Sequence, residues 1–340
     1  MEVTAPEAKT AAASSSWRSV LTGPQGALVI GLVLITLTVA TESLIITAIM
    51  PVIVHDIGGL QLYGLAFSAF FLAGLASIPT AGWAVDRYGP SIPFALLIGI
   101  FLAGSVLAAL APSMPVLVIA RVLQGYGAAA QFTISQSTIA RAFSESARVK
   151  VLSLMSTTWI APGLVGPSLG VLITSAFGWR WAFGAIVAPA LAACVLTYPR
   201  LRSLRPVATA RTAPPLREPL QVALGAGLLI AGLTSASWWG VLLVAGGLPI
   251  ALHALRGILP AGSLRARTGL PAIVAAGFLL DLAFSVPAPF VPLVPTPLRA
   301  TPLTTARVVR SPLTVPLPVA ALPNPPLVHP PPRCPLTPRP

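Results

Sequence analysis

Nine apolar segments dominate the chain, and each is long enough to cross a lipid bilayer as one helix. They cover residues 27–50, 62–85, 92–111, 115–139, 151–176, 180–198, 220–237, 238–255 and 270–293. A hydrocarbon layer of ~30 Å requires about 20 helical residues, and a helix satisfies its own backbone groups there. Charged residues make up only 9% of the chain, whereas soluble domains carry roughly 25%. We therefore expect an all-α polytopic membrane protein.

The basic residues predict how these spans are oriented. If the N-terminal tail at 1–26 is cytoplasmic, Arg180 is the only basic residue in the outside segments before the ninth window. The inside segments then hold Lys9, Arg18, Arg87, Arg141, Arg148, Lys150, Arg200, Arg202, Arg205, Arg211, Arg217, Arg256, Arg265 and Arg267. Because basic residues concentrate in cytoplasmic loops, we expect a cytoplasmic N-terminus. We expect a bacterial cell membrane, and the composition, rich in Arg, Ala, Gly, Pro and Val, is what GC-rich codons tend to give.

Several function classes are excluded by composition. We attribute the formal net charge of +13 to basic residues that orient the spans in the membrane, so nucleic acid is not an expected partner. The cysteines, Cys194 and Cys334, are too few and too far apart for a disulfide framework. The histidines are dispersed, and no nucleophile–base or metal-ligand spacing appears. We expect no enzyme, no cofactor and no metal.

Glu42 is an acidic residue inside the first apolar segment. An ionisable side chain at that depth costs about 2.5 kcal/mol or more and usually persists where it carries protons, ions or substrate. Apolar surroundings favour its neutral form, so Glu42 is a candidate for loading and releasing a proton. The alternative is an acid that only pairs with Arg121 to pack two helices.

The short loop after the second window contains a GxxxDRxG pattern formed by Gly82, Asp86, Arg87 and Gly89. The pattern resembles the signature loop of the major facilitator superfamily. That resemblance implies a charge network of Asp86 and Arg87 that helps to close the cytoplasmic side. The alternative is a solvated turn. Pro90 and Ser91 stand where the family commonly has basic residues, so the network is expected to be thinner here.

The fourth window contains Arg121, Gln124, Gly125 and Gly127, and it is similar to the RxxQGxGaa element of the family's fourth helix. A buried guanidinium keeps its proton and needs an acidic, carbonyl or water partner, for which Glu42 is one candidate. The alternative is an arginine that extends to the outer interface. Gln124, Gly125 and Gly127 are expected to lie on the packing face of this helix, where the two glycines allow close approach of a neighbour.

The fifth window contains a GPxxG sequence made of Gly166, Pro167 and Gly170. It resembles the motif of antiporter branches of the superfamily, although Pro162 and Val171 occupy positions where the full motif has glycine. Pro167 is expected to bend the helix and the glycines to admit a neighbour. An ordinary proline kink is the alternative.

The first window, in which Glu42 precedes Pro51, resembles the first helix of drug:proton antiporters. Together the four elements imply a six-helix transporter half at 27–199, after the tail at 1–26. After this half we expect a basic cytoplasmic loop at 200–219 and two additional helices at 220–255, as in fourteen-helix members. These are followed by a cytoplasmic loop at 256–269, the start of the second half at 270–293 and a disordered Pro-rich tail at 294–340.

The resemblance to the superfamily stops beyond Leu293, so we expect a chain that is truncated after the ninth helix. Residues 286–340 hold 18 of the 37 prolines and no acidic residue, which disfavours a packed core. One hypothesis is a shift of reading frame near Leu293, and the other is a natural Pro-rich tail.

The resemblance implies proton-coupled efflux of small amphipathic or hydrophobic compounds by alternating access, impaired in a chain that lacks most of its second half. Its expected partners are a small-molecule substrate, protons and the lipid bilayer. One alternative is an importer or uniporter of the same fold, and another is a non-transporting or decayed membrane protein.

Overall fold

The computed structural model describes residues 21–23, 25–204, 206, 217–234, 238–258, 272, 275–277 and 279. Within these residues the elements are ten α-helices and one 3-10 turn. The helices are α1 Gly26–Ile57, α2 Tyr63–Tyr88, α3 Ser91–Ala109, α4 Met114–Ala142, α5 Glu145–Thr157, α6 Ile160–Phe177, α7 Arg180–Gly184, α8 Val187–Leu201, α9 Arg217–Thr234 and α10 Trp238–Ile258. The 3-10 turn, Leu60–Leu62, precedes α2.

Six helical segments are long and apolar enough to cross a membrane. They are Gly26–Ile57, Leu60–Tyr88, Ser91–Ala109, Glu145–Phe177, Arg180–Leu201 and Trp238–Gly257. Helix α4 is also long enough, but its polar residues lower its mean hydropathy, and α9 begins with Arg217 and Glu218. The prediction of an all-α membrane protein with several spans is confirmed for the part of the chain described here.

Two of the predicted spans are interrupted rather than continuous. The fifth window divides into α5 and α6 at Thr158 and Trp159, and the sixth divides into α7 and α8 at Ala185 and Ile186. A proline follows each break: Pro162 stands four residues after Thr158, and Pro189 four residues after Ala185. Because proline has no backbone N–H, the carbonyls of Thr158 and Ala185 lack the donor that a continuous helix would provide. Hydropathy alone does not predict these breaks, because each lies inside a single apolar window.

Helices α1 and α4 are central to the packing. Helix α4 contacts α2 and α3 most extensively, while α1 lies against α6 and α8. The contact between α1 and α8 is close at Gly31, where a Cβ would lie 2.0 Å from the Thr197 hydroxyl oxygen. Helices α9 and α10 pack against each other, and α9 also contacts α2.

Hydrogen bonds of Asp56 and Arg180 join three segments at one end of the bundle. Asp56, near the end of α1, accepts hydrogen bonds from Trp179 Nε1 at 2.8 Å and from Arg180 Nη1 at 3.0 Å. Arg180 Nη2 donates to the carbonyl of Ala111 in the α3–α4 connection at 3.2 Å. The α1 end, the α3–α4 loop and the start of α7 are therefore tied together.

Much of the outer domain map lies outside the described residues. This holds for most of the tail at 1–26, for most of the loops at 200–219 and 256–269, and for the Pro-rich tail at 294–340. Of the predicted ninth span at 270–293, the structure describes residues 272, 275–277 and 279, which are helical.

Candidate functional site

A layer of buried polar side chains separates two apolar clusters of the helix bundle. The first cluster includes Leu32, Ile35, Phe94, Phe101, Ala128 and Ile134, and the second includes Ile45, Met50, Phe67, Ala108, Leu117 and Ala120. On α1 Glu42 falls between Ile35 and Ile45 in sequence, and on α3 Ser105 falls between Phe101 and Ala108. On α4, Arg121 and Gln124 follow Ala120 and precede Ala128. We call these four residues the polar layer.

Glu42 and Arg121 form an ion pair between α1 and α4. Arg121 Nη1 donates to Glu42 Oε1, and the two residues are 2% and 0% exposed, respectively. Arg121 therefore does not extend to the outer interface, which was the alternative left open by the sequence. Glu42 Oε2 and Arg121 Nε have no hydrogen-bond partner within the described residues. The pair is thus desolvated and only partly satisfied.

Arg121 has two further contacts. Its Nη1 donates to Gln124 Oε1 at 3.0 Å, and its guanidinium carbon lies 4.2 Å from the centre of the Phe70 ring. Gln124 Nε2 in turn donates to Ser105 Oγ at 3.1 Å. Gln124, expected from the sequence to serve helix packing, is therefore also a hydrogen-bonding partner of the ion pair.

Gly125 and Gly127 bring α4 close to its two neighbours. A Cβ at Gly125 would lie 2.0 Å from the Phe70 carbonyl oxygen on α2. A Cβ at Gly127 would lie 2.6 Å from the Leu97 carbonyl oxygen on α3. Real Cβ atoms do not approach so closely, so the backbones can pack at this distance only because these positions lack side chains.

Gly166 and Gly170 of α6 face the part of α1 that follows Glu42. Cβ atoms at these two positions would lie 3.2 Å from the Leu44 side chain and 3.1 Å from the Ile45 side chain. Pro167, between them, is buried inside α6. The GPxxG segment therefore packs within one turn of the acid on α1.

Asp86 of the loop motif forms an ion pair with an arginine of α4. Asp86 accepts a hydrogen bond at 2.5 Å from Arg141, which stands near the end of α4, while Arg87 is exposed. Gly89 has a φ of 76°, and a Cβ there would lie 3.1 Å from the Leu204 carbonyl oxygen. Gly82 has open space around it. Arg141 was counted in the sequence only as an inside charge, and no motif marked it as the partner of Asp86.

Replacement of Asp86 by asparagine should lower the free energy of unfolding by less than about 1 kcal/mol, because half of the Asp86 side chain is exposed and water screens the pair. Chemical unfolding in detergent, measured at low and high salt, tests this. The difference from the parent should shrink at high salt. A loss above about 2 kcal/mol that does not respond to salt would contradict it.

The comparisons with known proteins agree with this architecture. The model of the Major Facilitator Superfamily matches residues 30–323. The chain belongs to the Major Facilitator Superfamily. The matched region extends beyond Leu293, where the sequence resemblance was expected to stop, and it includes part of the Pro-rich tail. This superfamily comprises membrane transporters, so the chain is of transporter type and is not an enzyme.

Relatives within the superfamily are of the drug-efflux type. The chain is 31% identical over 170 residues to the "Multidrug efflux pump SdrM" of Staphylococcus aureus, covering 49% of this chain and 38% of that protein. It is 34% identical over 153 residues to the "Multidrug resistance protein B homolog" of Mycobacterium tuberculosis, covering 44% of this chain and 28% of that protein. The chain therefore spans about a third of the length of these superfamily relatives.

A solved structure of the superfamily fold also aligns with the chain. It is the crystal structure of an auto-inhibited POT family peptide transporter, with a TM-score of 0.54 and 17% sequence identity. The alignment covers 84% of this chain and 65% of that one. At this identity the likeness concerns the fold alone.

Proposed function

We propose that the protein acts in proton-coupled efflux of small amphipathic or hydrophobic compounds by alternating access, with Glu42 as the proton-carrying group. The observation that carries this proposal is the buried ion pair in the polar layer. Glu42 is fully buried, its Oε1 accepts from Arg121, and its Oε2 has no partner among the described residues. A carboxylate in that position is costly while charged, and a proton removes the charge.

A change of protonation at Glu42 would act on the contacts between helices. The charged carboxylate holds α1 to α4 through Arg121, whereas the neutral acid has a much weaker attraction for the guanidinium. Since Gly166 and Gly170 pack α6 on the adjacent turns of α1, a shift of α1 would be felt by α6. Proton binding is thereby linked to helix rearrangement, which alternating access requires.

We infer the substrate class from the relatives and the membrane orientation from the charge pattern. The relatives are named as multidrug efflux and multidrug resistance proteins, which supports export of small, poorly specified compounds. We infer a cytoplasmic N-terminus from the positions of the basic residues, and a bacterial cell membrane from the bacterial relatives. Protons, a small-molecule substrate and the bilayer are the proposed partners.

Glu42→Gln should reduce proton-driven substrate flux at least about tenfold, because glutamine keeps the shape of the side chain and cannot take up a proton. The measurement is uptake of radiolabelled tetraphenylphosphonium, an amphipathic cation, into proteoliposomes that contain the full chain and have an acidic lumen. Glu145→Gln, the same chemical change at an exposed position, serves as the control and should retain the parental flux.

Each other outcome counts against proton-coupled efflux in a different way. Flux that persists after the pH gradient is collapsed would favour an importer or uniporter of the same fold. Equal flux in Glu42→Gln and the parent would remove Glu42 from the coupling step. Proteoliposomes in which the parent chain gives no flux would favour a non-transporting membrane protein.

A further inference from the structure

Ser105 on α3 is a buried residue that no motif of the sequence marks, yet it is hydrogen-bonded to the polar layer. Its side chain is 0% exposed, and its hydroxyl donates to the Phe101 carbonyl of its own helix at 3.0 Å. A serine hydroxyl has one proton, so once that proton is given to Phe101, the oxygen can only accept from other groups. Ser105 therefore presents an acceptor toward α4.

This acceptor determines which way the Gln124 amide faces. Gln124 Nε2 donates to Ser105 Oγ at 3.1 Å, so the opposite end of the amide, Oε1, faces Arg121 Nη1 at 3.0 Å. The reverse orientation would place an amide N–H against a guanidinium N–H, and it would place Gln124 Oε1 against a serine oxygen whose proton is already given to Phe101. Ser105 thus selects the orientation in which Gln124 accepts from Arg121.

The backbone of α3 is shaped to allow this contact. Gly104, next to Ser105, lies so close to α4 that a Cβ would be 2.8 Å from the Gln124 backbone nitrogen and 2.9 Å from the Ala120 carbonyl oxygen. A larger residue at 104 would push the two helices apart. The short serine side chain reaches Gln124 because of this close approach.

The orientation of Gln124 matters most when Glu42 is neutral. Arg121 is 2% exposed and keeps its charge. When a proton neutralises Glu42, its attraction for the guanidinium weakens, and the guanidinium then depends more on its other contacts among the described residues, the Gln124 oxygen and the Phe70 ring. Without a fixed acceptor, a buried cation would move toward water or hold Glu42 in its charged form.

We propose that Ser105 is a positioning residue for proton coupling: it orients Gln124 so that Arg121 keeps its place while Glu42 is protonated and deprotonated. The inference rests on the proposed role of Glu42 and extends it to α3. Ser105 contacts neither substrate nor proton in this scheme. It acts through Gln124.

The kinetic experiment compares Ser105→Ala with Ser135→Ala in the proteoliposome assay with tetraphenylphosphonium. Ser135 is also buried, but its hydroxyl only donates to the Gln131 carbonyl of its own helix at 2.8 Å. Ser105→Ala should lower the maximal proton-driven rate about tenfold and leave KM within about twofold of the parental value. This combination indicates that a transport step is slower while substrate binding is unchanged. Ser135→Ala should leave both within about twofold. A parental rate in Ser105→Ala would overturn the proposal.

A thermal unfolding cycle in detergent tests the same proposal without transport. No hydrogen bond joins Ser105 to Arg121 in the described residues, so any departure from additivity between the effects of Ser105→Ala and Arg121→Met on Tm must be carried by their shared partner, Gln124. We expect a departure from additivity of about 2 °C or more, and additivity for Ser135→Ala with Arg121→Met. Additive shifts in both cycles would overturn the positioning role. Absence of flux in the parent chain refutes the proposed function alone, because the cycle still decides on Ser105.

Discussion

Glu42→Leu is expected to lower the free energy of unfolding by about 3–5 kcal/mol, because it leaves the guanidinium of Arg121 buried without its carboxylate partner. Both residues are almost completely buried, so water cannot replace the lost partner without opening the bundle. Gln124 and the Phe70 ring remain, and neither carries a compensating negative charge. Unfolding of the purified protein in mixed detergent micelles measures the effect without any transport activity.

Two further variants separate loss of the ion pair from general damage to α1. The double variant Glu42→Leu with Arg121→Leu should recover a large part of the loss, since removing both charges avoids an unpaired one. Thr47→Val replaces a buried hydroxyl on the same helix that, among the described residues, donates only to the Ser43 carbonyl, and it should cost less than about 1.5 kcal/mol. A double variant that is as unstable as the sum of its single variants would show that the pair contributes nothing as a pair.

Gly125→Ala should destabilise the protein by about 3 kcal/mol or more, at the upper end of the usual cost of overpacking. The added methyl group would overlap the Phe70 carbonyl oxygen, which is backbone and cannot rotate away. Helix α2 would therefore have to move from α4, and this would also separate the Phe70 ring from Arg121. Unfolding in detergent and the yield of folded protein after membrane extraction both report the change.

Gly82→Ala is the matched control, because it makes the same substitution in α2 at a position where no atom of the described residues, beyond the local helix backbone, lies within 4 Å of the new methyl group. It should be neutral or should stabilise the protein by up to about 1 kcal/mol, since alanine favours the helix more than glycine. Comparable losses in Gly125→Ala and Gly82→Ala would mean that close packing of α2 and α4 is not the reason for glycine at 125.

Some features of the candidate site can be predicted from the chain, and others cannot. Glu42 and Arg121 stand out because a charge within a long apolar run is rare and costly wherever the run folds. The tight packing positions stand out because glycine repeats are typical of helix contacts in membranes. Arg141, by contrast, is one of many basic residues, and its pairing with Asp86 depends on where the end of α4 meets the α2–α3 loop.

The order of the residues alone determined that the described part of the chain forms membrane-length helices, because backbone groups in an apolar segment must satisfy one another locally. It also determined which charges lie within those helices. Only the packed structure decided that Glu42, Arg121, Gln124 and Ser105 form one layer. These residues come from three helices, and their contacts depend on helix rotation and spacing, which are set by close approaches such as Gly125 to Phe70 and Gly104 to Gln124. Ser105 carries no charge and belongs to no motif, so the role proposed for it follows from geometry alone.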